Sequence, residues 1–233
     1  MREPLTIAVA QPQCVPYDVA ANAVTHAATV RSAGARVVVF PELSLTGYEL
    51  DAAAITVEDP RLMPIIEARA ETGSLALVGA PVRGEAGRSH IAMLAVDGTG
   101  ATVAYRKMWL GGTESDRFSP GGKPAALDVD GWRLGLAICK DTGIPQHASD
   151  TAALGIDAYV AGILESAEDA ARQDEHARRV ATDHRVWVAV ASFAGSTGGY
   201  AQVAGRSGIW SSDGVVVTRA GPETGTIARA TLT

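Results

Sequence analysis

Trp132-Arg133-Leu134-Gly135-Leu136-Ala137-Ile138-Cys139-Lys140-Asp141 is an apolar run that stops at a thiol and turns polar at once. It reads as a buried strand breaking into a loop at Cys139, the position where open α/β sheets carry their reactive groups. Two other polar residues sit in comparable settings. Glu42 follows Val37-Val38-Val39-Phe40-Pro41, and Lys107 follows Ala101-Thr102-Val103-Ala104-Tyr105-Arg106. A carboxylate, an ammonium and a thiol, each near the end of a strand-like run, are the parts of a cysteine nucleophile with its own base and cation.

Working outward, Leu134–Ile138 opens a strand–helix–strand unit. A helix is expected from about Pro145, a strand over Asp157–Gly162, a long helix from about Glu165 to His184, and a strand over Val186–Ser192. A similar unit opens the chain. There Leu5–Ala10 reads as a strand, and Asp18 caps a helix whose apolar face is Val19, Ala23, Ala27 and Val30. Gly34 ends that helix, and Arg36–Phe40 forms a second strand. Between the two units, Leu75–Ala80, His90–Val96 and Thr102–Arg106 read as strands joined by turns at Gly84–Gly87 and Asp97–Gly100. Ser207–Trp210, a turn at Asp213-Gly214 and Val215–Thr218 follow. The pattern is α/β, and no linker, repeat or low-complexity tract divides it, so residues 1–233 are expected to form one domain.

Composition narrows the function. The 233 residues are 47% hydrophobic and 20% charged, which argues against disorder. The net charge of −6 comes with no basic cluster, so nucleic acid is not an expected partner. Leu5–Ala10 is too short for a signal-peptide core, and no segment approaches the apolar length of a membrane helix. The two cysteines, Cys14 and Cys139, make no disulfide framework, and the five histidines show no metal-ligand spacing. A soluble, cytoplasmic protein with no metal and no cofactor is the expectation.

Pro41-Glu42-Leu43-Ser44-Leu45-Thr46-Gly47-Tyr48, Tyr105-Arg106-Lys107-Met108-Trp109-Leu110 and Cys139-Lys140-Asp141 resemble the three signature blocks of the carbon–nitrogen hydrolase (nitrilase) superfamily, in that family's order. The likeness runs from Gln11 to Gly205-Arg206-Ser207-Gly208-Ile209. It implies a four-layer α-β-β-α sandwich of the nitrilase type, paired with a second copy through its helical face as a homodimer or a larger homo-oligomer. It also implies that Cys139 attacks the carbonyl carbon of a small amide with Glu42 as general base. Lys107 and the backbone N–H of Lys140 would then stabilise the oxyanion. Glu114, in Gly111-Gly112-Thr113-Glu114, resembles the family's additional glutamate beside the lysine.

Several positions depart from the family pattern. After the nucleophile, Asp141-Thr142-Gly143-Ile144-Pro145-Gln146 has glycine where many relatives have arginine, and glutamine where they have glutamate. Trp109 stands at a site that is often histidine. Ser192-Phe193-Ala194-Gly195 replaces an Asn-x-x-Gly element, and Asp183-His184 replaces a glutamate–asparagine pair. With no arginine beside Cys139, and with Trp109 as a flat pocket wall, an uncharged binding pocket is expected. His184 shares a helical face with Ala170, Ala177 and Ala181 and reads as a hydrogen-bonded core residue. His147 is assigned to the helix after Cys139 rather than to a Cys–His dyad. The leading reading is hydrolysis of a small non-peptide carboxamide. Nitrile or N-carbamoyl hydrolysis is the alternative within the family, and a Cys14/Cys139 thiol redox protein is the alternative from another class.

Overall fold

The computed structural model describes residues 2–84 and 87–233. The turn expected at Gly84–Gly87 includes Glu85 and Ala86, which lie outside the described residues. The first half comprises β1 (Leu5–Gln11), α1 (Val19–Ala33), β2 (Val37–Val39), α2 (Met63–Thr72), β3 (Leu75–Arg83), β4 (Ser89–Asp97) and β5 (Gly100–Arg106). The second comprises β6 (Ala126–Val129), β7 (Trp132–Ile138), α3 (Pro145–Ala152), β8 (Ala158–Ile163), α4 (Ala170–His184) and β9 (Trp187–Ser192). Five strands complete the chain: β10 (Ala194–Thr197), β11 (Tyr200–Ala204), β12 (Gly208–Trp210), β13 (Val216–Arg219) and β14 (Thr226–Leu232).

Two six-stranded sheets result, ordered β14-β1-β2-β3-β4-β5 and β13-β12-β9-β8-β7-β6, with β10 and β11 as a separate hairpin. Alternation along the strands sets the layers. Leu5, Ile7 and Val9 of β1 meet Leu134, Leu136 and Ile138 of β7 in the core between the sheets. Ala8 and Ala10 face the opposite way, onto Ala23, Ala27 and Val30 of α1. In the second sheet Tyr159, Ala161 and Ile163 of β8 face Ala177, Val180 and Ala181 of α4. The layers are therefore helix, sheet, sheet, helix. No helix among the described residues is long and apolar enough to cross a membrane.

Local signals in the sequence fix the ends of α1. Asp18 accepts from the Ala21 N–H at 2.9 Å, and Gly34 closes the helix in the left-handed conformation at φ 56°. The long helix differs from the expectation, since α4 begins at Ala170 rather than near Glu165. Over the intervening residues Ser166 and Asp169 bond each other, and the Asp169 N–H donates to Ser166 Oγ at 3.2 Å. Such side chains offer the backbone an alternative to helix. His184 is half-buried at the last residue of α4 rather than in the core. Strands β6, β10, β11 and β14, and helix α2, are elements that the sequence did not announce.

Candidate active site

Cys139 directly follows β7 and opens a 3-10 turn over Cys139–Gly143. Its φ is +46°, a conformation that costs a non-glycine residue energy and holds the thiol out of line with the strand. The side chain is half-buried, and its Sγ contacts the Leu164 carbonyl at 3.4 Å, just beyond the end of β8. Glu42 lies beyond β2 in a fully buried segment. Two glycines make room for that segment from opposite sheets. A Cβ on Gly79 of β3 would collide with the Pro41 carbonyl, and one on Gly162 of β8 would come within 2.5 Å of the Phe40 carbonyl and 3.1 Å of the Glu42 nitrogen.

Lys107, one residue past β5, is 1% exposed and carries the centre of the site. Its Nζ donates to Glu42 Oε1 and to Glu114 Oε1, each at 2.7 Å. Glu114 is itself fixed, because its Oε2 accepts from the Gly111 N–H at 2.7 Å. Glu42 Oε2 is buried without a hydrogen-bond partner. A buried acceptor left open beside a thiol is poised to take a proton.

The electrostatics follow from this burial. Desolvation pushes the Glu42 carboxyl up to about 7, against the downward pull of Lys107. Repulsion from Glu114 adds to the rise, and the neighbouring Cys139 thiol draws it down slightly. The Cys139 thiol is also raised, by burial first and by the charge of Glu42 next, with Lys107 opposing. Burial disfavours the charged form of Lys107, but Glu42, Cys139 and Glu114 outweigh it, so the ammonium is held well above its ordinary value. In the resting site the proton therefore sits on sulfur, the lysine is charged, and the carboxyl titrates near neutrality.

Asp141 ties the two chain segments of the site together. Its Oδ1 accepts from the Trp109 N–H at 2.9 Å, and its Oδ2 accepts from the Ile138 N–H at 3.0 Å and the Tyr105 hydroxyl at 2.8 Å. Tyr105 continues to His147 Nε2 at 2.9 Å, and His147 Nδ1 meets the Tyr159 hydroxyl at 2.8 Å. Burial lowers the pKa of His147. This buried network lies under the Cys139 turn, and His147 belongs to it rather than to the thiol. Sequence reading quoted Asp141 only as part of a motif. Its two-residue offset from Cys139 gave no sign that it bonds the backbone beyond Lys107.

Lys107, Glu114, Cys139 and Lys140 line a cavity of about 720 Å³, together with Tyr48 and Tyr200. Glu42 reaches this space through Lys107. Lys140 sends its Nζ to the Leu110 carbonyl at 2.7 Å, which leaves its backbone as the part beside Cys139. Trp109 does not line the cavity. Its indole packs edge-on against His147, with ring centroids 5.6 Å apart at 89°.

The wall also departs from the uncharged pocket that the sequence suggested. Arg172, at the start of α4, lines it together with Glu165 and Asp169. Its guanidinium is held by Glu165 at 2.8 and 3.1 Å and by Asp169 at 3.1 Å. Reading 165–169 as helix hid this cluster. Opposite Gly143, where many relatives carry arginine, stands the ring of His176, 2.9 Å from where a Cβ would sit. Cys14 and Cys139 are both free thiols. Cys14 packs beside Leu164, Phe193 and Val203, and burial pushes its thiol up to about 12.

A family model described as carbon-nitrogen hydrolase matches residues 6–233. Among curated proteins, "Hydrolase in pqqF 5'region" of Pseudomonas protegens is 29% identical over 93% of this chain and 79% of its own length. An "(R)-stereoselective amidase" of a Pseudomonas species is 30% identical over 52% of this chain and 46% of its own. Among solved structures, an amidase from Nesterenkonia sp. AN1 in complex with butyramide superposes with a TM-score of 0.87 at 22% identity, covering 98% of this chain and 90% of that one. Saccharomyces cerevisiae Nit3, a nitrilase-superfamily member, gives 0.86 at 22% identity over 99% and 90%.

Proposed function

The chain belongs to the carbon–nitrogen hydrolase family, and from that premise we propose that it hydrolyses a small, neutral, non-peptide carboxamide through a thioester on Cys139. The observation that carries this reading is Lys107 Nζ held at 2.7 Å from both Glu42 and Glu114 beside the Cys139 cavity. In the first step Glu42 takes the thiol proton as sulfur bonds the carbonyl carbon. The oxyanion is met by Lys107 and the Lys140 N–H. Glu42 then gives its proton to the departing nitrogen as the C–N bond breaks, which releases ammonia or an amine. Water attacks the thioester and gives a proton to Glu42. The C–S bond breaks, and the proton returns to sulfur as the acid leaves.

The ionisation pattern suits this cycle. A thiol with a raised pKa needs a base at the moment of attack, and a carboxyl titrating near 7 serves as both acceptor and donor. The amidase with bound butyramide adds support for a simple amide. Neutral substrates are favoured because Arg172 is already engaged by Glu165 and Asp169. A substrate carboxylate reaching that wall would have to break the cluster, at a cost of about a hundredfold or more in kcat/KM.

The test is ammonia release from matched neutral and ω-carboxylate amides, with intact-mass detection of an acyl adduct. Turnover with the adduct on Cys139 is expected. Cys139→Ala, Glu42→Gln and Lys107→Met should each abolish it, whereas Cys14→Ala retains it. No release from any amide, or equal loss in both cysteine variants, rejects the proposal. A nitrile or N-carbamoyl panel run alongside separates the readings within the family.

A further inference from the structure

Lys107 and Cys139 follow strands of different sheets, since β5 ends at Arg106 and β7 at Ile138. Chemistry that uses both requires a fixed separation, and the buried network around Asp141 spans this junction. Tyr105 and Trp109 flank Lys107 on either side. The Asp141 carboxylate accepts from the Tyr105 hydroxyl at 2.8 Å and from the Trp109 N–H at 2.9 Å. It also accepts from the Ile138 N–H, directly before Cys139, at 3.0 Å. His147 of α3 engages the same two flanking residues. Its Nε2 meets the Tyr105 hydroxyl at 2.9 Å, and its ring centroid lies 5.6 Å from that of Trp109 and 5.8 Å from that of Tyr105.

The protons of this chain have one consistent arrangement. The Tyr105 hydroxyl gives its single proton to Asp141, so at the contact with His147 its oxygen accepts and Nε2 donates. Burial lowers the pKa of the imidazole and keeps it neutral. Nδ1 is then without a proton and accepts from the Tyr159 hydroxyl at 2.8 Å. Tyr159 of β8 therefore fixes the tautomer of His147. In the other tautomer Nε2 would compete with Asp141 for the Tyr105 proton. All four side chains are buried, so water has little access to replace a lost partner.

We propose that His147, set by Tyr159, is a positioning residue for amide hydrolysis: through Tyr105 and Asp141 it holds the Lys107 segment and the Cys139 turn in register across the two sheets. His147 does not line the Cys139 cavity, so it acts only through these neighbours. The φ of +46° at Cys139 is a strain that such a clamp sustains. The assignment rests on the amide-hydrolase reading above.

The experiment compares Tyr159→Phe, His147→Leu and His147→Gln with the unaltered protein, with butyramide as substrate. Phenylalanine removes one hydroxyl at nearly constant shape, and leucine removes both hydrogen bonds of His147. The glutamine amide offers a donor and an acceptor in place of the two ring nitrogens. Tyr159→Phe and His147→Leu should each lower kcat about tenfold to a hundredfold. In His147→Leu the loss should fall on kcat with KM little changed, and His147→Gln should recover most of it. Full kcat in Tyr159→Phe and His147→Leu overturns the proposal. So does a rise in KM at constant kcat in His147→Leu, or a loss in His147→Gln equal to that in His147→Leu, which would mark a packing role.

Alkylation of Cys139 by iodoacetamide needs no turnover and separates this inference from the chemistry. It is followed by intact mass in a Cys14→Ala background. In the otherwise unaltered protein the rate should follow the Glu42 carboxyl, with a midpoint at about 7. In Tyr159→Phe and His147→Leu the midpoint should move up towards that of an ordinary thiol, about 8.5, as Cys139 loses its place beside the base. That movement without amide turnover by the unaltered enzyme keeps the positioning role and removes the hydrolytic reading. Amide turnover with full kcat in the variants and an unmoved midpoint does the reverse.

Discussion

In the proposed cycle Glu42 is a base early and an acid a step later, and its environment suits both. Burial raises its carboxyl to about 7, Lys107 restrains that rise, and its Oε2 is left open beside the thiol. The sign of the pH dependence follows. Only the deprotonated carboxyl can accept the thiol proton, so kcat/KM should fall about tenfold per pH unit on the acid side of about 7. Lys107 stays charged throughout this range, because its pKa is raised by the two carboxylates despite burial. The measurement is a pH profile of kcat/KM on a neutral amide. An acid limb displaced down to the ordinary carboxylate range, about 4, would remove Glu42 from the role. The sequence marks Glu42, Lys107 and Cys139 as candidates because each stands near the end of a strand-like run and the three family-like blocks occur together, and the structure brings them to one place. Glu114 was legible only through family resemblance, since a glutamate in a glycine-rich loop looks solvated. Trp109 misled because its type suggests a flat wall, while its ring turns to His147.

The elements position these residues through contacts that no local pattern records. Gly79 and Gly162 belong to different sheets, yet both leave space for the Phe40–Leu43 backbone that carries Glu42. Gly162→Ala should push that backbone away from β8. Small displacements of a reacting group cost about a hundredfold in rate. We expect kcat to fall by that order with only a modest drop in Tm. Gly122→Ala, where an added Cβ has no neighbour within 4 Å, should leave both unchanged. Full activity in Gly162→Ala would show that the Glu42 segment has freedom this packing denies. The need for glycine was invisible from sequence because its cause lies in another strand. Arg172 was missed for a related reason: α4 starts five residues later than its composition suggests, and the bonded Ser166–Asp169 turn brings the guanidinium to the cavity.

At the scale of the whole molecule, the two-layer pairing of sheets was expected from the family likeness, while periodicity supported only α/β. The last strand was not foreseen, because Thr226-Ile227-Ala228-Arg229-Ala230-Thr231-Leu232 alternates weakly and contains an arginine. The family pattern also leads us to propose that two copies associate through a helical face, or assemble into a larger oligomer. Light scattering at micromolar concentration should return at least a dimer, and a monomer-only mass rejects the idea. Strand β14 pairs antiparallel with β1 along its whole length, from Leu5 opposite Leu232 to Gln11 opposite Thr226. The side chain of Gln11 reaches the same late segment, donating to the carbonyls of Gly221 and Glu223 and accepting from the Ser207 N–H. On the ribosome β1 emerges long before its partner β14, which lies more than two hundred residues later in the chain. The newborn chain therefore carries a bare strand edge until β14 arrives, and this is the interval in which it is most open to pairing with another nascent chain.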